Sequence, residues 1–279
     1  MRDIALRIDL TRLVAPLAAT AMLGLALPAA AGPASRLAYS VSLAGFPIAR
    51  ADLSLADAGG RYSLAVDWRT AGLASVFAAQ RGEAAAGGRL GAARPLPASY
   101  RLAGGDPAKR VDVAIALTDG TVRSAAVSPP PATGDDRVPM RPNHRRDVLD
   151  PLSAAIAPGS TTPETLCRRT LPIFDGWSRW DVRLSPKSTR AATLPGFDGP
   201  LVVCAARWVP VAGHRPNHNA TRYMADNTDL EVTFGRLVGG RVWLPVEAAV
   251  GTRLGTARLA LDEAVAAAPA PPSKPRRKG

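Results

Sequence analysis

The sequence predicts an all-β protein: a curved antiparallel sheet or open β-barrel with one or two short helices, behind a cleaved N-terminal signal peptide. Three observations carry this. Apolar and polar residues alternate with a period of two from Arg36 onward, glycine and aspartate punctuate the alternating runs, and the first 31 residues have the layout of an export signal.

In the leader, Arg2, Arg7 and Arg12 precede an apolar run from Leu13 to Ala30 that ends in the small residues Ala29, Ala30 and Ala31. Pro16 and Pro28 interrupt the run, and the Ala29-x-Ala31 pattern sets a cleavage site before Gly32. The stretch is long enough to span a bilayer, so retention as an anchor is the alternative. The residue after the site is Gly32 and not a cysteine, which argues against a lipoprotein, and no later segment approaches a second span. The expected organisation is a signal peptide over 1–31, a single antiparallel β domain over 32–264, and a disordered Pro-rich basic tail over 265–279. The expected location is the periplasm, with no transmembrane span after signal cleavage.

The strands follow in order. Leu37, Tyr39, Val41 and Leu43 alternate with Arg36, Ala38, Ser40 and Ser42; Tyr62, Leu64, Val66 and Trp68 do the same, as do Val111, Val113, Ile115 and Leu117. Further on, Trp180, Val182 and Leu184 oppose Arg179, Asp181 and Arg183, while Leu230, Val232 and Phe234 oppose Asp229, Glu231 and Thr233. Ala58-Gly59-Gly60 and Thr118-Asp119-Gly120 read as hairpin turns, because glycine tolerates the positive φ such turns require. Two stretches break the pattern as short helices: Leu73 to Ala79, and Asp150 to Ala157, where Asp150 is an N-cap and Pro151 occupies the first helical position. Pro129-Pro130-Pro131 and the segment from Arg137 to Arg146 form an irregular excursion that could divide the chain into two halves.

Cys167 and Cys204, the only cysteines, both follow the leader. An oxidising compartment lets them pair, and the expectation is a disulfide; two unpaired buried thiols are the alternative. Without a Cys-x-x-Cys spacing, neither a redox catalyst nor a zinc site is indicated. The net charge of +12 suits an anionic envelope component, lipid or polymer, although a generally basic proteome gives the same signature with no partner implied. Four of those positive charges, Lys274, Arg276, Arg277 and Lys278, belong to the tail, and export removes nucleic acid from the partners. Oligomeric state is not indicated.

The block from Cys167 to Arg183 concentrates the candidate site. Phe174-Asp175-Gly176 is a turn in which Asp175 can bond neighbouring amides, and Arg179, Asp181 and Arg183 then share one strand face while Trp180 points to the other. Asp175, Arg179, Trp180, Asp181, Arg183 and His214 are therefore the ligand-binding candidates, against the plainer reading of cross-strand ion pairs on a solvated face. His214 and His218 have an i, i+4 spacing, but Pro216 opposes a regular helix there and no metal site is expected. Asp175 and Asp181 would lie about 20 Å apart on an extended chain, too far for joint acid–base work. Ser153 lacks the Gly-x-Ser-x-Gly elbow of hydrolases, and no phosphate loop or dinucleotide fingerprint occurs. No catalytic residue and no cofactor is assigned.

Asp150-Pro151-Leu152-Ser153, the Phe174-Asp175-Gly176 turn with its aromatic-rich strand, and the opening Gly45-Phe46-Pro47-Ile48-Ala49-Arg50-Ala51 carry a resemblance. The chain resembles the domain-of-unknown-function 3108 family of exported bacterial proteins, from about Leu37 to about Leu261. It departs from that pattern in using Ala and Phe where bulkier residues are common in the first hairpin. The resemblance implies an exported all-β protein and assigns no reaction.

Function classes remain open at this point. The first is a non-enzymatic carrier for an amphipathic or anionic envelope component, which needs an enclosed apolar cavity of a few hundred Å³. The second is an envelope-remodelling hydrolase, which needs Asp150, Asp175 or His214 to converge with another polar group in a cleft. A third, an interaction module, needs an exposed apolar patch.

Overall fold

The computed structural model describes residues 34–267, apart from 73, 74, 76–78, 107, 108, 132, 133, 135, 192, 240 and 266. The expected signal segment, most of the helix expected over Leu73 to Ala79, and the tail beyond Ala267 lie outside the described residues.

Seven strands come first: β1 (Ala34–Leu43), β2 (Phe46–Ala58), β3 (Arg61–Thr70), β4 (Arg81–Leu90), β5 (Pro95–Asp106), β6 (Lys109–Thr118) and β7 (Thr121–Ser128). After the excursion come the helix α1 (Pro151–Ala154), the two-residue β8 (Ala157–Pro158) and the helix α2 (Pro163–Leu166). The rest comprises β9 (Thr170–Phe174), β10 (Arg179–Arg190), β11 (Phe197–Ala212), the helix α3 (Asn219–Asp226), β12 (Leu230–Leu237), β13 (Val242–Thr252) and β14 (Gly255–Val265). The protein is thus all-β and antiparallel, with three short helices among the described residues. Only α1 stands where the cap pattern predicts it. Thr162-Pro163 before α2 repeats the pattern of Asp150-Pro151, and α3 begins just after Pro216, at His218 as N-cap.

The strand order β7-β6-β5-β4-β3-β2-β1-β14-β13-β12-β11-β10-β9 is one open sheet with β7 and β9 at its edges. The excursion does not divide it, because β1 pairs with β14 from Arg36↔Val265 to Leu43↔Ala257 and so joins the first and last strands. The excursion instead spans the gap between the edges. Val148 donates its amide to Gly120 beside β7 (2.9 Å), while Leu149 donates to Pro172 (2.7 Å) and accepts from Phe174 (2.9 Å) on β9. Backbone groups at part of each edge are thereby satisfied without a continuous ladder.

The turns β1–β2, β3–β4, β5–β6, β9–β10 and β13–β14 fall at one end of the sheet, termed upper below, together with the α3 connection. Across the inner face the register stacks side chains in rows. One row runs Leu37, Leu53, Val66, Ala84, Leu102, Val113, Val127. The next row toward the upper end runs Tyr39, Ala51, Trp68, Gly82, Gly104, Val111. There the Trp68 indole lies over Gly82 and Gly104, where an added Cβ would come within 2.7 and 2.8 Å of the ring, so these two strand positions admit nothing larger.

Two buried clusters meet across β13. Trp243 and Leu244 are each 1% exposed yet belong to different clusters. Consecutive strand residues face opposite sides, so β13 is covered on both faces there. The Cys167–Cys204 disulfide, with Cα atoms 5.3 Å apart, ties the end of α2 to β11 within the second cluster.

Candidate functional site in the barrel interior

The chain that leaves the edge seam at Leu149 turns into the interior as α1. Asp150 starts this helix with an extended backbone, and its Oδ1 accepts the amides of Leu152 (3.0 Å) and Ser153 (2.9 Å), satisfying two donors the first turn leaves free. Its Oδ2 accepts the Ser153 hydroxyl at 2.5 Å, and Ser153 Oγ lies 2.6 Å from Tyr62 Oη on β3. Asp150 and Ser153 are 0% exposed and Tyr62 3%. Burial pushes the Asp150 carboxyl up from the usual 3.8 to about 6, opposed by the bonds from Ser153 and Leu152. Burial likewise raises the phenols of Tyr62 and Tyr100, and for Tyr100 the charges of Asp150 and Asp175 add to the effect.

The folded chain keeps its Asp150 proton up to about pH 6, whereas the unfolded chain releases it near pH 4. This group's contribution to stability is therefore fully present below about pH 4 and lost as the pH rises to about 6. Measured against Asp150→Asn, the wild type is expected to lose roughly 2–3 kcal/mol between about pH 4 and pH 7. Urea midpoints of the two proteins across that range check this, and parallel profiles would refute it.

Beside α1 lies an apolar cavity of about 160 Å³, whose wall includes Ala51, Leu53, Leu64 and Val66 from the sheet and Leu152 and Ile156 from the α1 segment. Tyr39 also reaches it, but its hydroxyl is engaged by the carbonyl of Pro245 at 2.9 Å. The cavity is smaller than the few hundred Å³ expected for a whole amphipathic ligand, because α1 and Ile156 occupy the middle of the sheet's concavity. Two larger depressions, about 520 and 610 Å³, lie toward the upper part of β3–β7; charged residues such as Asp67, Glu83 and Arg101 or Arg81 contribute to their walls.

The residues singled out in the sequence are elsewhere. Asp175 accepts the amides of Trp177 (3.0 Å) and Ser178 (2.7 Å) in the β9–β10 turn, with Gly176 at φ 115°. Burial raises its carboxyl while those bonds oppose the rise. Because the chain turns there, Asp175 and Asp181 do not lie on one extended segment. β10 pairs without a break with β9 from Arg179↔Phe174 to Arg183↔Thr170, and the bulge opposite its start lies on β11 at Val211. Arg179 and Asp181 close on each other at 2.7 Å with side chains only 11% and 19% exposed. Trp180 packs against the second cluster, and Arg183 is exposed, directly opposite Arg207. His214 lies in the loop before α3, its Nδ1 buried without a partner, and burial holds its pKa down, partly offset by the Ala212 backbone. His218 caps α3, accepting the Ala220 amide at 3.4 Å. No group of three or more potential metal-ligating side chains occurs among the described residues.

The interior polar group and the cavity escape local sequence reasoning. The available signal was the recurrence of tyrosine at inward phases of β1, β3 and β5, since a buried phenol asks for a polar partner. Arg169 was missed as well. Burial pushes its guanidinium down to about 10, and its Nε donates to the carbonyl of Leu166 at 2.8 Å.

Fold and interior together define an all-β protein whose open antiparallel sheet curls around a short helical plug. A family model, that of the protein of unknown function DUF3108, matches residues 38–262, and the chain belongs to this family. No curated protein matches it. Among solved structures it is similar to a beta-barrel-like protein of the domain of unknown function DUF1849 from Brucella abortus. The TM-score is 0.45 at 10% identity, over 83% of this chain and 97% of that one. Among the described residues, no helix is long and apolar enough to cross a membrane.

Proposed function

We propose that the protein is an exported, non-enzymatic carrier of the periplasm that takes the end of one aliphatic chain of an amphipathic envelope molecule into the interior cavity. The observation that supports this is the hollow's lining, in which mostly aliphatic side chains line about 160 Å³ that is open on one side and the one nearby hydroxyl is already bonded. An apolar cavity of roughly 150 Å³ stays dry and accepts a benzene-sized guest. The end of an acyl chain fits that size, with the remainder of the molecule outside. The alternative, an envelope-remodelling hydrolase, is less well supported: Asp150, Ser153 and Tyr62 converge where solvent does not reach. Asp175 and His214 belong to two turns at the upper end that abut at Trp177 and Gly213, and the Asp175 carboxylate there is engaged by the amides of Trp177 and Ser178.

Straight-chain fatty acids titrated into the purified protein test the proposal. Ala51→Leu adds three carbons to the cavity wall and is expected to weaken binding at least ten-fold without lowering the melting temperature by more than a few degrees. Absence of binding to the wild type, or unchanged affinity in the variant, would remove the carrier reading.

A further inference from the structure

Turn tips are ordinarily polar, because glycine, asparagine, aspartate and serine meet their backbone and solvent demands. Two adjacent tips at the upper end are not. The β1–β2 turn, with Ala44 at φ 49° and Gly45 at φ 87°, leads directly into Phe46, which is 66% exposed; the β13–β14 turn carries Leu254 at 76%. The two tips are joined, since Ala44 donates its amide to the carbonyl of Thr256 at 3.0 Å. Trp177, in the β9–β10 turn at the same end, is also exposed.

Just below these tips the outer face carries a collar of arginines. The register sets Arg50 opposite Arg69, Arg69 opposite Arg81, and Arg81 and Arg110 on either side of Gly105. Arg258 lies opposite Ser42 on β1, and Arg253 beside Leu254 stacks on the Tyr223 ring of α3, 5.4 Å from its centroid. Arg69 and Arg110 have partners in Asp52 and Asp112. Arg50, Arg81, Arg253 and Arg258 have no carboxylate partner among the described residues.

Like charges directly opposite on a sheet destabilise it, so a row of this kind costs the isolated protein. The neighbouring carboxylates, Asp52, Asp67, Glu83 and Asp112, form the next outward row, two residues and therefore about 7 Å farther from the tips. Along β2 the order is thus apolar tip at Phe46, cation at Arg50, then anion at Asp52, while the end of β5 carries Asp106, which faces Lys109, beyond the arginine row. An interface between water and lipid requires that order: apolar groups among acyl chains, cations at the phosphates, and carboxylates held back from them.

We infer that the upper end, through Phe46 and Leu254 with the collar of Arg50, Arg81, Arg253 and Arg258, docks on the surface of an anionic phospholipid bilayer. This surface is independent of the interior cavity. It accounts for apolar side chains at turn tips and for a row of facing arginines whose outer members, Arg50 and Arg81, have no carboxylate partner among the described residues, two features that the fold's own stability does not explain.

Co-sedimentation with vesicles of phosphatidylcholine alone, or with about a third phosphatidylglycerol, tests it. The wild type is expected to partition at least ten-fold more strongly onto the anionic vesicles, and less so as salt rises. Phe46→Ser combined with Leu254→Ser should reduce partitioning at least ten-fold on the anionic vesicles, and Arg50→Gln with Arg81→Gln should reduce it several-fold on those vesicles alone. Both pairs change exposed side chains, and unchanged melting temperatures would show that each variant folds. Equal binding by the wild type and the tip variant would overturn the inference and assign binding to the basic tail. Failure to bind anionic vesicles would overturn it too. Fatty-acid affinity of the tip variant, expected to be unchanged, separates this outcome from that of the carrier reading.

Discussion

Replacing Trp243 with alanine is expected to destabilise the protein by about 4 kcal/mol, within the range for a fully buried tryptophan. Trp243 is among the largest fully buried side chains described, and it packs in the cluster that contains Phe234, Leu166 and the Cys167–Cys204 disulfide. Its indole N–H donates to the carbonyl of Thr161 at 2.9 Å, and the Arg236 guanidinium lies over the ring, 5.8 Å from its centroid. Truncation therefore opens a cavity and also leaves Thr161 without its donor. Trp243→Phe separates the two effects. It keeps most of the volume and loses the hydrogen bond, for an expected loss of about 1–2 kcal/mol. Urea unfolding of the two variants beside the wild type makes the comparison. A loss below about 1 kcal/mol for the alanine variant would mean that the second cluster does not support the sheet as its packing implies.

The strands legible in the sequence are those whose inward residues are large. β1, β3, β6, β10 and β12 each alternate bulky apolar side chains with polar ones, and each forms where that alternation predicts. β4 does not announce itself. Its inward positions are Gly82, Ala84, Ala86 and Gly88, all small: the Trp68 ring lies over Gly82, and at Gly88, beside a bulge, an added Cβ would collide with the Leu96 carbonyl oxygen on β5. β13 hides for the opposite reason. Burial on both faces at Trp243 and Leu244 replaces alternation by a continuous apolar run. The excursion was legible as irregular, but its work as the seam between β7 and β9 depends on bonds to Gly120, Pro172 and Phe174, and no local pattern encodes those.

The same division holds for the site. The cap at Asp150 follows from Asp-Pro at a helix start, and the turn at Asp175 follows from Asp-Gly. That Ser153, whose hydroxyl is bonded to Asp150, would also meet Tyr62 depends on a register about 90 residues away in the chain. Arg179, Asp181 and Arg183 do follow one another along one side of β10, whose pairing with β9 is unbroken, but Arg179 and Asp181 pair with each other, and the bulge beside them lies on β11, at Val211. Bulges and long-range registers are set by tertiary packing, so period-two reasoning cannot locate them.

Removing the disulfide as Cys167→Ala with Cys204→Ala is expected to cost about 4 kcal/mol, the chain-entropy value for a loop of this length. The two cysteines are 37 residues apart, and the loop they close holds all of β9 and β10, including the edge strand that receives the seam at Leu149. Without the bond the unfolded chain gains freedom over that loop, and α2 loses its covalent attachment to β11. For a chain of this size the change corresponds to a fall of roughly 8–16 °C in melting temperature. Reductant should lower the melting temperature of the wild type toward that of the double variant and leave the variant unchanged. Should wild type and variant melt within about 2 °C of each other under oxidising conditions, the bond either does not form in solution or constrains a loop that stays compact when unfolded. Thiol counting under denaturing conditions separates those cases. If the bond forms in full, residual structure between Cys167 and Cys204 in the unfolded chain is the remaining explanation.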